Sequence, residues 1–144
     1  MNAQIKLMQL AISEAERHGT PFGAVLAMGD EPVVTTVNTT SKDHDPTAHA
    51  EINAIRELGK LTQKTNFPGY TLYSTIEPCP MCASAIVWSN IKRLVFGASI
   101  NDIKTYIPQI TISCSYIFSR SDLDVEVSGG VLSGECLELA KRYG

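Results

Sequence analysis

The chain has 144 residues, 44% hydrophobic and 19% charged, which suits one ordinary globular core, so residues 1–144 are expected to form a single domain. No run approaches the roughly 18 apolar residues of a membrane span, and the N-terminus lacks a signal peptide's basic segment and continuous apolar run, so a cytoplasmic protein without membrane contact is expected. The formal net charge of −3 argues against a surface that tracks phosphates, because affinity for polyanions depends on clustered Lys and Arg.

Asn2 to His18 places Met8, Ala11, Ile12 and Ala15 at helical spacing ahead of Gly19, which predicts an amphipathic helix. Ala24–Met28 and Val33–Asn38 read as short strands around the turn signal Gly29-Asp30-Glu31-Pro32, and so as a hairpin. Asp45-Pro46-Thr47 supplies a turn and an N-cap, so a helix is expected over Ala48–Leu58, with Gly59 as its stop. Tyr70–Thr75 reads as a strand leading into Pro78, Met81–Ser89 as a helix and Arg93–Gly97 as a further apolar strand. Between Asn101 and Ser121 the β-branched residues suggest a short strand, interrupted by Pro108. Val125–Val127 reads as extended, and Ser133 as the cap of a last helix through Arg142. Strands alternating with helices predict a three-layer α/β/α domain around a central sheet.

The chemistry concentrates in two runs, His49-Ala50-Glu51 and Pro78-Cys79-Pro80-Met81-Cys82. His49, Cys79 and Cys82 are ligand types that zinc prefers, and three of them leave a fourth tetrahedral position open, the pattern of a catalytic site. Zinc lowers the pKa of a bound water from roughly 15.7 toward about 7, and Glu51 is the natural carrier of the proton. Residues two apart share no lateral face of a helix, so His49 and Glu51 can serve one site only in front of a helix N-terminus, toward which first-turn side chains lean. Pro80 suits a first helical position, leaving Cys79 near the cap and Cys82 along the same face. Both runs therefore open helices, whose positive ends offset two thiolates and a carboxylate and depress thiol pKa values.

A lone C-x-x-C also occurs in redox pairs and in structural zinc modules. A redox pair does not require H-x-E, and a closed structural site needs a fourth ligand. His18, at the end of a helix, and His44, in a polar loop, have ordinary structural explanations. Cys114 and Cys136 read as buried small apolar groups rather than halves of a disulfide framework.

H-x-E with P-C-x-x-C is the signature of zinc deaminases. Together with Pro21-Phe22-Gly23-Ala24-Val25, Asp45-Pro46-Thr47 and Glu77, these runs make the chain resemble the cytidine deaminase-like superfamily. Within it, the likeness is to the branch of guanine, other nucleobase or nucleoside, and tRNA adenosine deaminases. It runs from about Pro21 to Gly97, with a fainter echo from Gly129 through Cys136. The resemblance implies a mixed five-stranded sheet flanked by helices, one Zn²⁺ per chain and a homodimer. It also implies Asn38 as a base or ribose contact, Phe22 as a pocket wall and the Ala50 backbone N–H as a contact to the substrate ring. The reaction replaces an exocyclic amine by a carbonyl, with Glu51 moving the protons and ammonia leaving.

The tRNA enzymes tend to carry a smaller residue where Phe22 stands, which points toward the guanine deaminases. Thr111-Ile112-Ser113-Cys114-Ser115-Tyr116 lacks the carboxylates that guanine deaminases tend to carry in the stretch after the last matched strand, so guanosine, cytosine and related heterocycles stay open. With the acidic charge, these features make a small base or nucleoside the expected substrate, the chemistry of nucleobase salvage. Adenosine deamination in tRNA is the alternative, and a zinc-stabilised interaction module a distant third. Trp88, Tyr106 and Tyr116 lie outside the clearest core pattern and are read as dimer contacts, with the monomer core as the competing place for Trp88.

Overall fold

A computed structural model describes residues 2–144. Helix α1 (Ala3–Arg17) begins where Asn2 Oδ1 accepts the Ile5 N–H at 2.9 Å, and it buries Leu7, Met8, Ala11, Ile12 and Ala15. Strands β1 (Gly23–Met28) and β2 (Glu31–Val37) form the hairpin. There follow α2 (Thr40–Asp43), α3 (Ala50–Thr62), β3 (Tyr70–Ile76), α4 (Pro80–Trp88), β4 (Arg93–Ala98), α5 (Ile100–Ile103), α6 (Cys114–Ser119), β5 (Glu126–Ser128) and α7 (Ser133–Tyr143). The strands make one sheet in the order β2-β1-β3-β4-β5, with β1 antiparallel to both neighbours and β3, β4 and β5 mutually parallel.

Alternate side chains of a strand point to opposite faces, and this divides the core in two. Val25, Ala27, Tyr73 and Val95 pack with Met8 of α1 and Leu139 of α7. Ala24, Leu26, Leu72 and Leu94 pack with Leu58 of α3, Ile86 of α4 and Phe118 of α6. The result is the expected three-layer α/β/α sandwich. Because β3 and β4 are parallel, their carboxyl ends lie on one edge of the sheet, and α4 and α5 both follow from that edge. Open α/β sheets bind ligands at such an edge.

Several expectations about element bounds are corrected. Helix α3 starts at Ala50 rather than Ala48, because Asp45 Oδ1 accepts both the N–H and the hydroxyl of Thr47 at 2.9 and 2.7 Å, making a separate turn. It also runs through Gly59 and stops at Gln63, which is left-handed at φ 58°. An interior Gly costs only about 1 kcal/mol relative to Ala, less than the burial of Leu58 beside it contributes. Segment 101–121 holds short helices and no strand. Ser99 and Asp102 form a capping box and the Ser113 side chain accepts the Tyr116 N–H, so local caps override β-branched propensity. Ser133 is the first residue of α7 rather than its cap; Leu132 takes that position at φ 54°.

Trp88 is 84% exposed, Tyr116 57% and Tyr106 44%, so none of the three belongs to the core. No described helix is long and apolar enough to cross a membrane.

Gly97 is where β4 passes closely beneath α7. A Cβ there would sit 2.6 Å from the Thr75 carbonyl oxygen and against the Cys136 sulfur. Gly97→Ala is therefore expected to destabilise the fold by about 1–3 kcal/mol, the usual cost of overpacking, measured as a lower urea midpoint at unchanged slope.

Candidate active site

His49 and Cys79 are the N-caps of α3 and α4, both in extended backbone conformation and neither making a side-chain capping bond. A cap side chain ordinarily turns back to the helix N–H groups. Here the ligand atoms meet one another instead. His49 Nδ1 lies 3.6 Å from both Cys79 Sγ and Cys82 Sγ. Tetrahedral zinc, with Zn–S near 2.3 Å and Zn–N near 2.0–2.1 Å, separates N and S ligands by about 3.6 Å, so the donor set fits the ion in both type and spacing. Among the described residues this is the one His, Cys and carboxylate cluster able to hold a metal, and no fourth side chain joins it. Cys114 and Cys136 are free and buried elsewhere in the core, and His18 binds back to the Glu14 carbonyl.

Glu51, in the first turn of α3, is only 5% exposed. Burial pushes its carboxyl up to about 7, with the Cys79 charge reinforcing the shift and a backbone hydrogen bond and His49 opposing it. A carboxyl poised there can give and take a proton at neutral pH. Of the thiols, Cys79 is drawn down to about 4, chiefly by its hydrogen bond with Cys82 and against the effect of burial. Cys82 moves upward for the reciprocal reason, reinforced by burial. His49 is raised by its bond to Cys79, with burial opposing. A divalent cation held between the two sulfurs would let both ionise. The N-termini of α3 and α4 add positive potential at the same point.

A relay of backbone contacts connects the expected substrate-facing residues to this cluster. The Asn38 N–H donates to the Phe22 carbonyl at 3.1 Å, and the Thr39 N–H to the Ala48 carbonyl, next to His49, at 2.9 Å. Asn38 Oδ1 accepts the N–H and the hydroxyl of Thr40, both at 3.0 Å. A backbone N–H can only donate, which assigns that atom as the oxygen and leaves the Asn38 NH₂ as the end that can serve a ligand. Ala50 is the first residue of α3, and the first N–H groups of a helix have no intrahelical acceptor.

Two further residues hold this arrangement together. Asn53 Nδ2 reaches the Val37 carbonyl, the Thr39 hydroxyl and the Ala48 carbonyl at 2.8, 2.9 and 3.3 Å. The buried Thr75 hydroxyl accepts the Gly23 N–H and donates to the Pro21 carbonyl, at 3.0 and 2.7 Å, which holds Phe22 from both sides. Glu77, between β3 and Pro78, is also buried. Sequence reasoning gave none of them a role. The available signals were a polar Asn inside a helix, where it is disfavoured, and a Glu between an apolar strand and Pro78.

Residues 1–98 match the family described as the cytidine and deoxycytidylate deaminase zinc-binding region. The chain belongs to that family. It is a hydrolytic deaminase acting on a C–N bond of a nucleobase or nucleoside, with one zinc per chain. It is 46% identical over 132 residues to the tRNA-specific adenosine deaminase of Buchnera aphidicola subsp. Schizaphis graminum, covering 90% of this chain and 83% of that one. It is 40% identical to the enzyme of the same name from Haemophilus influenzae, over 96% of this chain and 81% of that one. A solved structure described as concerning A-to-I editing by tRNA:A34 deaminases at the wobble position superposes with a TM-score of 0.82 at 34% identity, covering 93% of this chain and 98% of the other.

These likenesses overturn the expected small-molecule substrate, the salvage role that came with it and the expectation that nucleic acid is not a partner. The charge argument failed for a physical reason. Net charge averages over the whole chain and does not say how its twelve Lys and Arg and its fifteen acids are distributed over the surface. Phe22 was too local a feature to outweigh identity along most of the chain.

Elemental analysis is expected to return one zinc per chain, lost in Cys79→Ser and Cys82→Ser. Cys114→Ser should keep the full equivalent, since that sulfur lies outside the cluster.

Proposed function

We propose that residues 1–144 form a single deaminase domain that converts adenosine in tRNA to inosine. The observation that carries this reading is the identity with relatives named tRNA-specific adenosine deaminase, sustained over most of both chains. The wobble adenosine is the target favoured by the likeness to the tRNA:A34 deaminase structure. A cytoplasmic location fits the same reading.

His49, Cys79 and Cys82 hold the metal. When bound, zinc supplies a Lewis acid that makes water available as a nucleophile at neutral pH. The rest of the chemistry falls to the chain. Glu51 takes the proton released by the water and passes it to the ring nitrogen beside the carbon under attack, relieving the aromatic resistance to addition. It then helps protonate the departing amine, so that ammonia leaves and a carbonyl remains. Its burial keeps that proton from exchanging with bulk water during the reaction. Asn38 offers its NH₂ to an acceptor on the base or ribose, Phe22 forms a wall, and the Ala50 N–H contacts the ring. These fixed partners hold the flipped-out base in attack geometry.

Incubation with an anticodon stem-loop carrying a wobble adenosine is expected to yield inosine. Glu51→Gln should keep its fold and one zinc per chain while losing turnover by about 10² to 10⁴, the range for general acid–base catalysis. An unconverted stem-loop would sink the substrate assignment, and full activity in Glu51→Gln would remove Glu51 from its role.

A further inference from the structure

Glu77 stands between β3 and Pro78-Cys79 and is only 7% exposed. Its N–H donates to the Ala98 carbonyl at 2.8 Å, carrying the β3–β4 ladder one residue past the strand. Its carboxylate is fully engaged by two distant backbone groups. Oε1 accepts the Ile100 N–H at 3.0 Å, and Oε2 accepts the Cys114 N–H at 2.8 Å. Burying a carboxylate is costly unless such bonds are made, so the packing of Glu77 and the placement of both donors depend on one another.

The two donors are the first residues of α5 and α6, the two feet of segment 101–113. One side chain thus fastens both ends of that segment to the residue from which the metal-ligand loop departs. Between the feet, residues 108–113 form neither helix nor strand. The segment turns apolar side chains outward: Ile110 is 62% exposed, Tyr106 44% and Ile112 40%. The Lys141 ammonium lies 5.8 Å from the centre of the Tyr106 ring, setting a cation beside an aromatic face. This arch rises from the carboxyl edge of the sheet that also bears Cys79. Unstacked bases of an RNA loop are recognised by packing on aromatic and apolar side chains, with cations close to the backbone.

We propose that Glu77 is a positioning residue for substrate recognition. By holding both feet of the 101–113 arch against the metal-ligand strand, it places the arch where it packs on the nucleotides flanking the target adenosine. The inference rests on the tRNA reading above and adds the element that grips the RNA around the reacting base.

Glu77→Gln keeps the shape and one acceptor but turns an NH₂ toward the other backbone N–H. On the anticodon stem-loop, KM is expected to rise about 10-fold, the order for losing one charge-assisted hydrogen bond, with kcat within about 2-fold and zinc at one per chain. Amide hydrogen exchange across 101–113 should quicken in the same variant. Ile110→Ala, at an exposed position, should fold normally and raise KM by about 3-fold. The double variant should fall short of the product of the two, because both act through one arch. A purely structural Glu77 would lower the melting temperature and leave KM alone. Unchanged KM in Ile110→Ala overturns the inference even if Glu77→Gln is too unstable to assay, as does a Glu77→Gln defect confined to kcat or zinc. If the wild-type chain leaves the stem-loop unconverted, the tRNA reading falls and the inference with it; a converted stem-loop with unmoved KM sinks the inference alone.

Discussion

The meeting of two helix N-termini at one point is the constraint on which this structure turns. Caps normally satisfy their own helices. In α3 and α4 the cap positions are His49 and Cys79, whose side chains are withheld from capping and directed at a shared point, where Nδ1 stands 3.6 Å from two sulfurs. Leaving first-turn N–H groups without side-chain caps costs stability, typically about 1 kcal/mol for each helix. In exchange the site acquires positive potential where two cysteine sulfurs and a carboxyl group stand together. The rest of the fold can be understood as holding those two helix ends in register. β3 delivers α4, and the relay through Asn38, Thr39 and Ala48 fixes the entry to α3.

Burial then sorts the acids by role. Glu51 and Glu77 are both withdrawn from solvent, but their surroundings differ. Glu51 lies beside the ligand cluster, where burial holds its carboxyl near neutrality and ready to exchange a proton. Glu77 instead has both carboxyl oxygens taken by backbone donors, the N–H groups of Ile100 and Cys114. The same residue type thus stands beside the ligand cluster in one place and fastens two backbone segments in the other, because of what its oxygens meet.

The substrate shows where composition misleads. A net charge of −3 describes the whole chain, whereas an enzyme that reads one flipped nucleotide needs only a few well-placed contacts around it. Relatives that share identity along most of the chain carry that information better than either the charge or a single pocket residue such as Phe22.

Much of the site was legible beforehand because its parts are local. H-x-E and P-C-x-x-C lie within single helical turns, so their spacing alone places His49, Glu51, Cys79 and Cys82 at helix openings. The alternation of apolar residues similarly marks the longer helices and the sheet strands, and with them the three-layer sandwich around the sheet. What depended on residues far apart in sequence could not be read that way. Tertiary structure decided that His49 presents Nδ1, that α3 ignores Gly59 because Leu58 beside it is buried, and that segment 101–121 folds into capped helices instead of a strand. It alone joined Glu77 to Ile100 and Cys114, since hydrogen bonds between distant backbone groups leave no periodic trace in the chain that makes them.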